Sequence, residues 1–264
     1  MGTIFRKELK RTRFGLVIWS SIVGILALFA MLEYPVVSQY TEVIGDALAV
    51  IPRIGQLIFG VYNVNLNEPI GYYIVMYYWT GLVVFTHSIY TGASIIAKES
   101  RDKTVEFTFT KPYKRRVIVW AKIYTALVNI AAIGIVAIIM SIAGMIAITD
   151  NPAVYIQIII SGFGMLFTQC VLMSLGLLCS AIFKTYKSSV KAAAVILLAS
   201  YCLMFFIQYV DMPSLNFLSP LTYFSVSDVV ENGFGILYIV IFVGLISICA
   251  LCTQKIYSQK EMVA

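Results

Sequence analysis

Lys98-Glu99-Ser100-Arg101-Asp102-Lys103-Thr104-Val105-Glu106-Phe107-Thr108-Phe109-Thr110-Lys111-Pro112-Tyr113-Lys114-Arg115-Arg116 is a dense charge cluster between two long apolar runs. Charged side chains are expensive in hydrocarbon, so this stretch belongs in water or against another protein. The flanking runs are each long enough to cross a bilayer as a helix, for which about 20 apolar residues suffice. They show no strict alternation, which argues against a barrel. Composition agrees: the 264 residues are 60% hydrophobic and 12% charged, with a mean hydropathy of +0.89. Soluble domains carry about 25% charged residues. The fold class read from the sequence is all-α integral membrane.

Six spans emerge in a single transmembrane domain covering 1–264, at about 14–31, 71–97, 117–148, 154–183, 192–210 and 234–252. Residues 1–13 are basic, and Ile4, Phe5 and Leu9 share one helical face, which predicts an interfacial helix leading into the bilayer. A signal-peptide reading fails because the following apolar run is long and the small-residue site near Ala30 is poor. In the segment 35–70, Val43, Ala47, Ile51, Ile54 and Ile58 recur at helical spacing. They predict one or two amphipathic helices at the interface, bent at Pro52, before a turn at Asn63, Asn65, Asn67 and Pro69. Asp150-Asn151-Pro152 is a tight turn, and Lys184–Lys191 is a short loop. The segment 211–233 is too polar to span, and it predicts short interfacial or re-entrant helices broken at Pro213 and Pro220.

Basic residues set the orientation. Segments 1–13, 98–122, 184–191 and 253–264 hold 18 of the 19 Lys and Arg residues, and Arg53 alone falls on the opposite side. The expected location is a plasma membrane, bacterial, crossed several times, with both termini cytoplasmic. The net charge of +6 is this positive-inside bias, so nucleic acid is not implied as a partner.

Several chemistries are excluded by pattern. Proton and ion pathways keep ionisable groups at membrane depth, and the spans carry none well inside apart from His87. That histidine is a candidate functional residue, or else a neutral imidazole bonded to a neighbouring helix. No phosphate-binding Gly-x-x-x-x-Gly-Lys-[Ser/Thr], His-Glu-x-x-His or Gly-x-Ser-x-Gly motif occurs. The five cysteines fall in apolar runs and read as packing residues, Cys249-x-x-Cys252 included. No catalytic, cofactor-binding or metal-binding residue is assigned to this chain.

Within the opening stretch, the pattern predicts a short helix that Thr104 can cap, with Glu106 in its first turn and Pro112 as its stop. Lys and Arg alone would suit an inner loop touching anionic lipid. Glu99, Asp102, Glu106 and the aromatics Phe107 and Phe109 point instead to a docking surface for a protein. The pattern Glu99, Thr104-x-Glu106, Pro112 and Arg115 resembles the first cytoplasmic loop of ABC-2 type permeases, the membrane subunits of ABC exporters with the type V, or ABCG-like, fold. Lys103 stands where that family commonly has Gly, and Phe107 and Phe109 replace an aliphatic pair. The resemblance extends over the chain and includes Ser219-Pro220-Leu221-Thr222-Tyr223-Phe224 before the last span.

The resemblance implies a permease dimer, homodimeric or paired with a similar protein, served by two separate ABC ATPase subunits that bind ATP and Mg2+. It makes 104–112 a cytoplasmic coupling helix, with Glu99, Arg101, Thr104, Glu106, Phe107, Phe109, Pro112 and Arg115 as ATPase-coupling residues. It makes Phe5, Arg6, Lys7, Leu9 and Lys10 part of an elbow helix. Spans two and five would line the substrate path, with Tyr73, Met76, Tyr77, His87, Tyr201, Met204 and Phe205 as candidates. An aromatic, Met-rich surface suits amphipathic peptides or hydrophobic compounds. The competing reading is a membrane-embedded structural or sensor protein whose loop 98–116 binds a non-ATPase partner. A membrane enzyme is disfavoured by the missing constellation.

Overall fold

A computed structural model describes residues 2–98 and 115–259. The described residues form an all-α membrane bundle. The long helices are α1 (Gly2–Leu32), α5 (Pro69–Ile95), α6 (Arg115–Ile146), α7 (Pro152–Ile182), α8 (Tyr186–Val210) and α10 (Ile236–Gln259). Short helices α2 (Tyr34–Val37), α3 (Thr41–Val50) and α4 (Arg53–Phe59) lie between α1 and α5. A 3-10 turn at Pro213–Leu218 and α9 (Val226–Asn232) lie between α8 and α10. By length and composition, α1, α6, α7, α8 and α10 are each apolar enough to cross a membrane. At 27 residues α5 extends ~40 Å, but tyrosine, serine, threonine and glycine dilute its hydropathy.

That dilution has a structural cause. α5 is the most enclosed of the long helices with α7, and their backbones meet directly. A Cβ on Gly92 would overlap the carbonyl oxygen of Met173, and one on Gly176 would overlap that of Ile89. Only small residues permit such an approach, which is how helices associate where lipid removes the hydrophobic drive between them. The hydroxyls in this crossing are satisfied within the bundle. Ser88 Oγ donates to Val84 O at 2.8 Å, and Ser174 Oγ donates to Val171 O at 2.7 Å. Tyr73 and Ser161 share a 2.8 Å bond between α5 and α7.

The other helices pack around this pair. α1 lies along α6, α8 covers α5 and α7, and α10 rests on α7. Many apolar side chains of α1 and α10 remain on the surface of the single chain, including Phe14, Ile25, Leu237 and Val240.

Local capping explains the connections. Asn151 caps α7 by accepting from the Ala153 N–H, with Pro152 in the first turn. Thr185 caps α8 by accepting from the Ser188 N–H at 3.2 Å, so the loop expected at Lys184–Lys191 shrinks to its first residues and Lys187 and Lys191 lie on the helix. Pro52 separates α3 from α4. The apolar stripe of these two helices faces outward, Val43 being 68% and Ile58 46% exposed, while Leu57 off the stripe is the residue that packs inward. The separate elbow helix expected at 1–13 is instead the first part of the unbroken 31-residue α1, because no proline or glycine pair interrupts its pattern there. The tail expected from 253 is helical to Gln259.

The backbone contact gives a direct prediction. Gly92→Ala and Gly176→Ala each force α5 and α7 apart and cost about 1–3 kcal/mol. Thermal unfolding in detergent is expected to show both losses. Gly244→Ala, which has open space around it, is expected to melt as the wild type does.

Candidate functional site

Two places gather polar chemistry. One is at the basic end of the bundle, beside the charged stretch. Lys122 of α6 is fully buried. Its Nζ donates to Ile95 O at the C-terminal end of α5, at 3.0 Å, and lies 3.8 Å from Glu8 Oε1 of α1. A cation at a helix C-terminus meets the negative end of the helix dipole as well as a free carbonyl. α8 holds the same end of α5: Ser189 Oγ donates to Ala93 O at 2.8 Å, and the Tyr90 and Tyr186 hydroxyls bond at 2.8 Å. The end of α5 that enters the charged stretch is thus gripped by α1, α6 and α8.

Glu99, Arg101, Thr104, Glu106, Phe107, Phe109 and Pro112 lie outside the described residues, and Arg115 opens the backbone of α6. Phe5, Arg6, Lys7, Leu9 and Lys10 all lie on α1, with Phe5 and Leu9 partly buried and Arg6, Lys7 and Lys10 exposed.

The second place is a cavity of about 320 Å3 at the opposite end. Its walls come from α5, α8, the turn after α4, and the segment from Asp211 to Asp228. Tyr77 and Tyr78 of α5 face Tyr201 and Met204 of α8 across it. Phe205 backs the wall, its ring 6.3 Å from Tyr201 and 6.5 Å from Tyr78. Polar groups converge there from Asn63, Gln208, Asn216, Asp211 and Asp228. This size and mixture match a small-ligand site.

The segment forming the far wall is anchored by its own chemistry. Ser219 Oγ donates to Ser200 O at 2.9 Å, Tyr223 OH to Phe217 O at 2.8 Å, and Thr222 Oγ1 to Ser219 O at 2.8 Å. This irregular backbone is internally bonded, and its 219–224 part is buried in protein. Asp211 ends α8 in the left-handed conformation, φ 57°. Burial first, then the neighbouring Glu231 charge, pushes the Asp228 carboxyl above its usual range.

The predicted path residues therefore divide. Tyr77, Tyr201 and Met204 line the cavity, and Phe205 supports it. Tyr73 and Met76 line a separate gap of about 10 Å3 against α1, α6 and α7. His87 lines neither. Its Nε2 is 3.2 Å from Thr91 Oγ1 one turn along α5, and its ring lies 5.1 Å from that of Trp19 on α1. The expected bond to a neighbouring helix is thus a bond within its own helix plus a ring contact. Sequence reasoning missed Lys122, read there as part of an inner charged run. It also missed Asp211 and Asp228, which no periodicity distinguishes from loop residues.

The family model for ABC-2 family transporter proteins matches residues 3–253. The chain belongs to that family. No curated protein matches it at a significant level. This permease is a multi-pass membrane subunit of an ABC transporter, and its family supplies no nucleotide-binding domain of its own, the ATPase being a partner in general.

Lys122 yields a stability prediction for the permease. Lys122→Met strands Glu8 at 12% exposure and frees the Ile95 carbonyl. Breaking such a buried pair from one side costs about 3 kcal/mol. A double-mutant cycle with Glu8→Gln, read by unfolding in detergent, is expected to show the two changes coupled by about 1 kcal/mol or more.

Proposed function

We infer that this permease is the transmembrane half of an ATP-driven exporter that moves amphipathic peptides or hydrophobic compounds out of the cell. The observation that carries the reading is the family match over nearly the whole chain. The aromatic cavity supports the cargo class, since Tyr77, Tyr78, Tyr201 and Met204 offer polarisable apolar walls with polar tips.

In this reading the basic end is cytoplasmic, in keeping with the positive-inside rule, and the membrane is the plasma membrane. Two ATPase subunits dock on the stretch 98–116, with 104–112 as the coupling helix. ATP and Mg2+ belong to those subunits. A second copy of the chain, or a similar protein, covers part of the exposed apolar surface of α1 and α10, and lipid covers the rest. The grip on α5 by Lys122, Ser189 and Tyr186 then lies next to the coupling segment. Movement there passes into a helix whose other half lines the cavity.

The test is Glu106→Lys. The variant is expected to reach the membrane in normal amount. It is expected to lose co-purification with the cognate ATPase, or to retain the ATPase without cargo-stimulated hydrolysis. Full stimulated hydrolysis and export by this variant would remove 98–116 as the coupling element.

A further inference from the structure

The two ends of the molecule carry opposite charge. The end bearing α2–α4 and α9 holds Glu33, Glu42, Asp46, Glu68, Asp150, Asp211, Asp228 and Glu231 against one cation, Arg53. A field of one sign, focused by low-dielectric walls, concentrates ligands of the other sign. Arg53 is already engaged. Its Nη2 donates to Gln208 O at 2.9 Å, and its guanidinium carbon lies 4.7 Å from the Tyr62 ring centre and 5.7 Å from that of Tyr209. It does not line the cavity, whereas Asp211 and Asp228 do. Among the described residues neither carboxylate is paired with a cation.

Both are exposed side chains, reachable from solvent at the cavity's lining. The same lining holds Tyr77, Tyr78 and Tyr201. Tyrosine faces attract organic cations through the ring quadrupole. Carboxylates and tyrosine rings in one lining are complementary to one kind of molecule.

We propose that this cavity binds a cationic amphiphile, its apolar part against Tyr77, Tyr78 and Tyr201 and its ammonium, guanidinium or phosphonium charge at Asp211 and Asp228. At about 320 Å3 the chamber holds a small aromatic cation or the basic and aromatic side chains of a larger peptide, not a whole peptide. Naming this ligand as cargo rests on the export reading; the binding itself does not.

The experiment uses the full chain in phosphatidylcholine nanodiscs, with empty discs as blank. Tetraphenylphosphonium and tetraphenylborate have nearly one shape and opposite charge, so equilibrium dialysis of the two separates electrostatics from lipophilicity. Saturable binding of the phosphonium alone is expected. Asp211→Asn and Asp228→Asn, close in shape to the originals, are each expected to weaken it roughly tenfold. Their gel-filtration profiles and melting curves should match the wild type. Tyr201→Ala is expected to weaken it as well.

Equal saturable binding of the borate, unchanged affinity in both Asn variants, or no saturable phosphonium binding would overturn the proposal. A Lys- and Trp-rich amphipathic peptide is then added as competitor. Displacement assigns the cationic group to a peptide, and its absence assigns it to a small compound; either supports the proposal. The same discs are tested for ATPase capture. Capture without cation binding refutes this cargo class and leaves the export reading standing. Cation binding without capture does the reverse.

Discussion

The contact on which the bundle depends is the backbone-to-backbone crossing of α5 and α7 at Gly92 and Gly176. In lipid, side-chain hydrophobicity does not pull helices together, so close packing and internal hydrogen bonds must do it. The two glycines remove the side chains that would hold the axes apart. Ser88, Ala93 and Ser174 are small neighbours that extend the same approach, and they are buried. Once α5 and α7 are joined, their remaining faces are shared out: α6 and α10 on α7, α8 over both, and α1 carried by α6.

This crossing also explains why so enclosed a helix carries so many polar side chains. α5 need not repel water by its own composition, because protein surrounds most of it. Its tyrosines and serines can therefore face partners such as Ser161 rather than lipid. α10 is the converse case, its apolar side chains largely on the surface and its contacts mainly with α7.

Much of this was legible in the sequence because bilayer thickness and charge bias act on composition directly. The long helices, the break at Pro52 and the interrupted segment 211–233 follow from apolar runs and prolines. The first span and its basic leader merged into one helix, since no local signal stops it. What the sequence could not show are pairings across helices. Lys122 looks like one of several topology-setting bases until Glu8 and the Ile95 carbonyl are brought to it by the α1–α6 packing. His87 drew notice for being ionisable, yet its surroundings are Thr91 and Trp19 rather than the cavity. Tyr77, Tyr201 and Met204 could be placed on two spans by their residue types. That they converge, and that Asp211 and Asp228 join them, depends on how the irregular segment folds back under Ser219.

α5 is the element common to both polar places. Its C-terminal end takes the Lys122 ammonium on the Ile95 carbonyl, and Tyr77 and Tyr78 nearer its start form the cavity wall. Between them lies Gly92, where α7 meets the helix backbone with no side chain to yield. Packed cores of this kind switch between arrangements rather than deform smoothly. In the export reading, a displacement at the basic end of α5 would be resisted at this crossing and passed along the helix. Such a motion would shift the tyrosine wall relative to α8 and alter the chamber. The charge division fits that arrangement: cations gather where the helix is gripped, carboxylates where it lines a cavity, and the rigid crossing lies between the two.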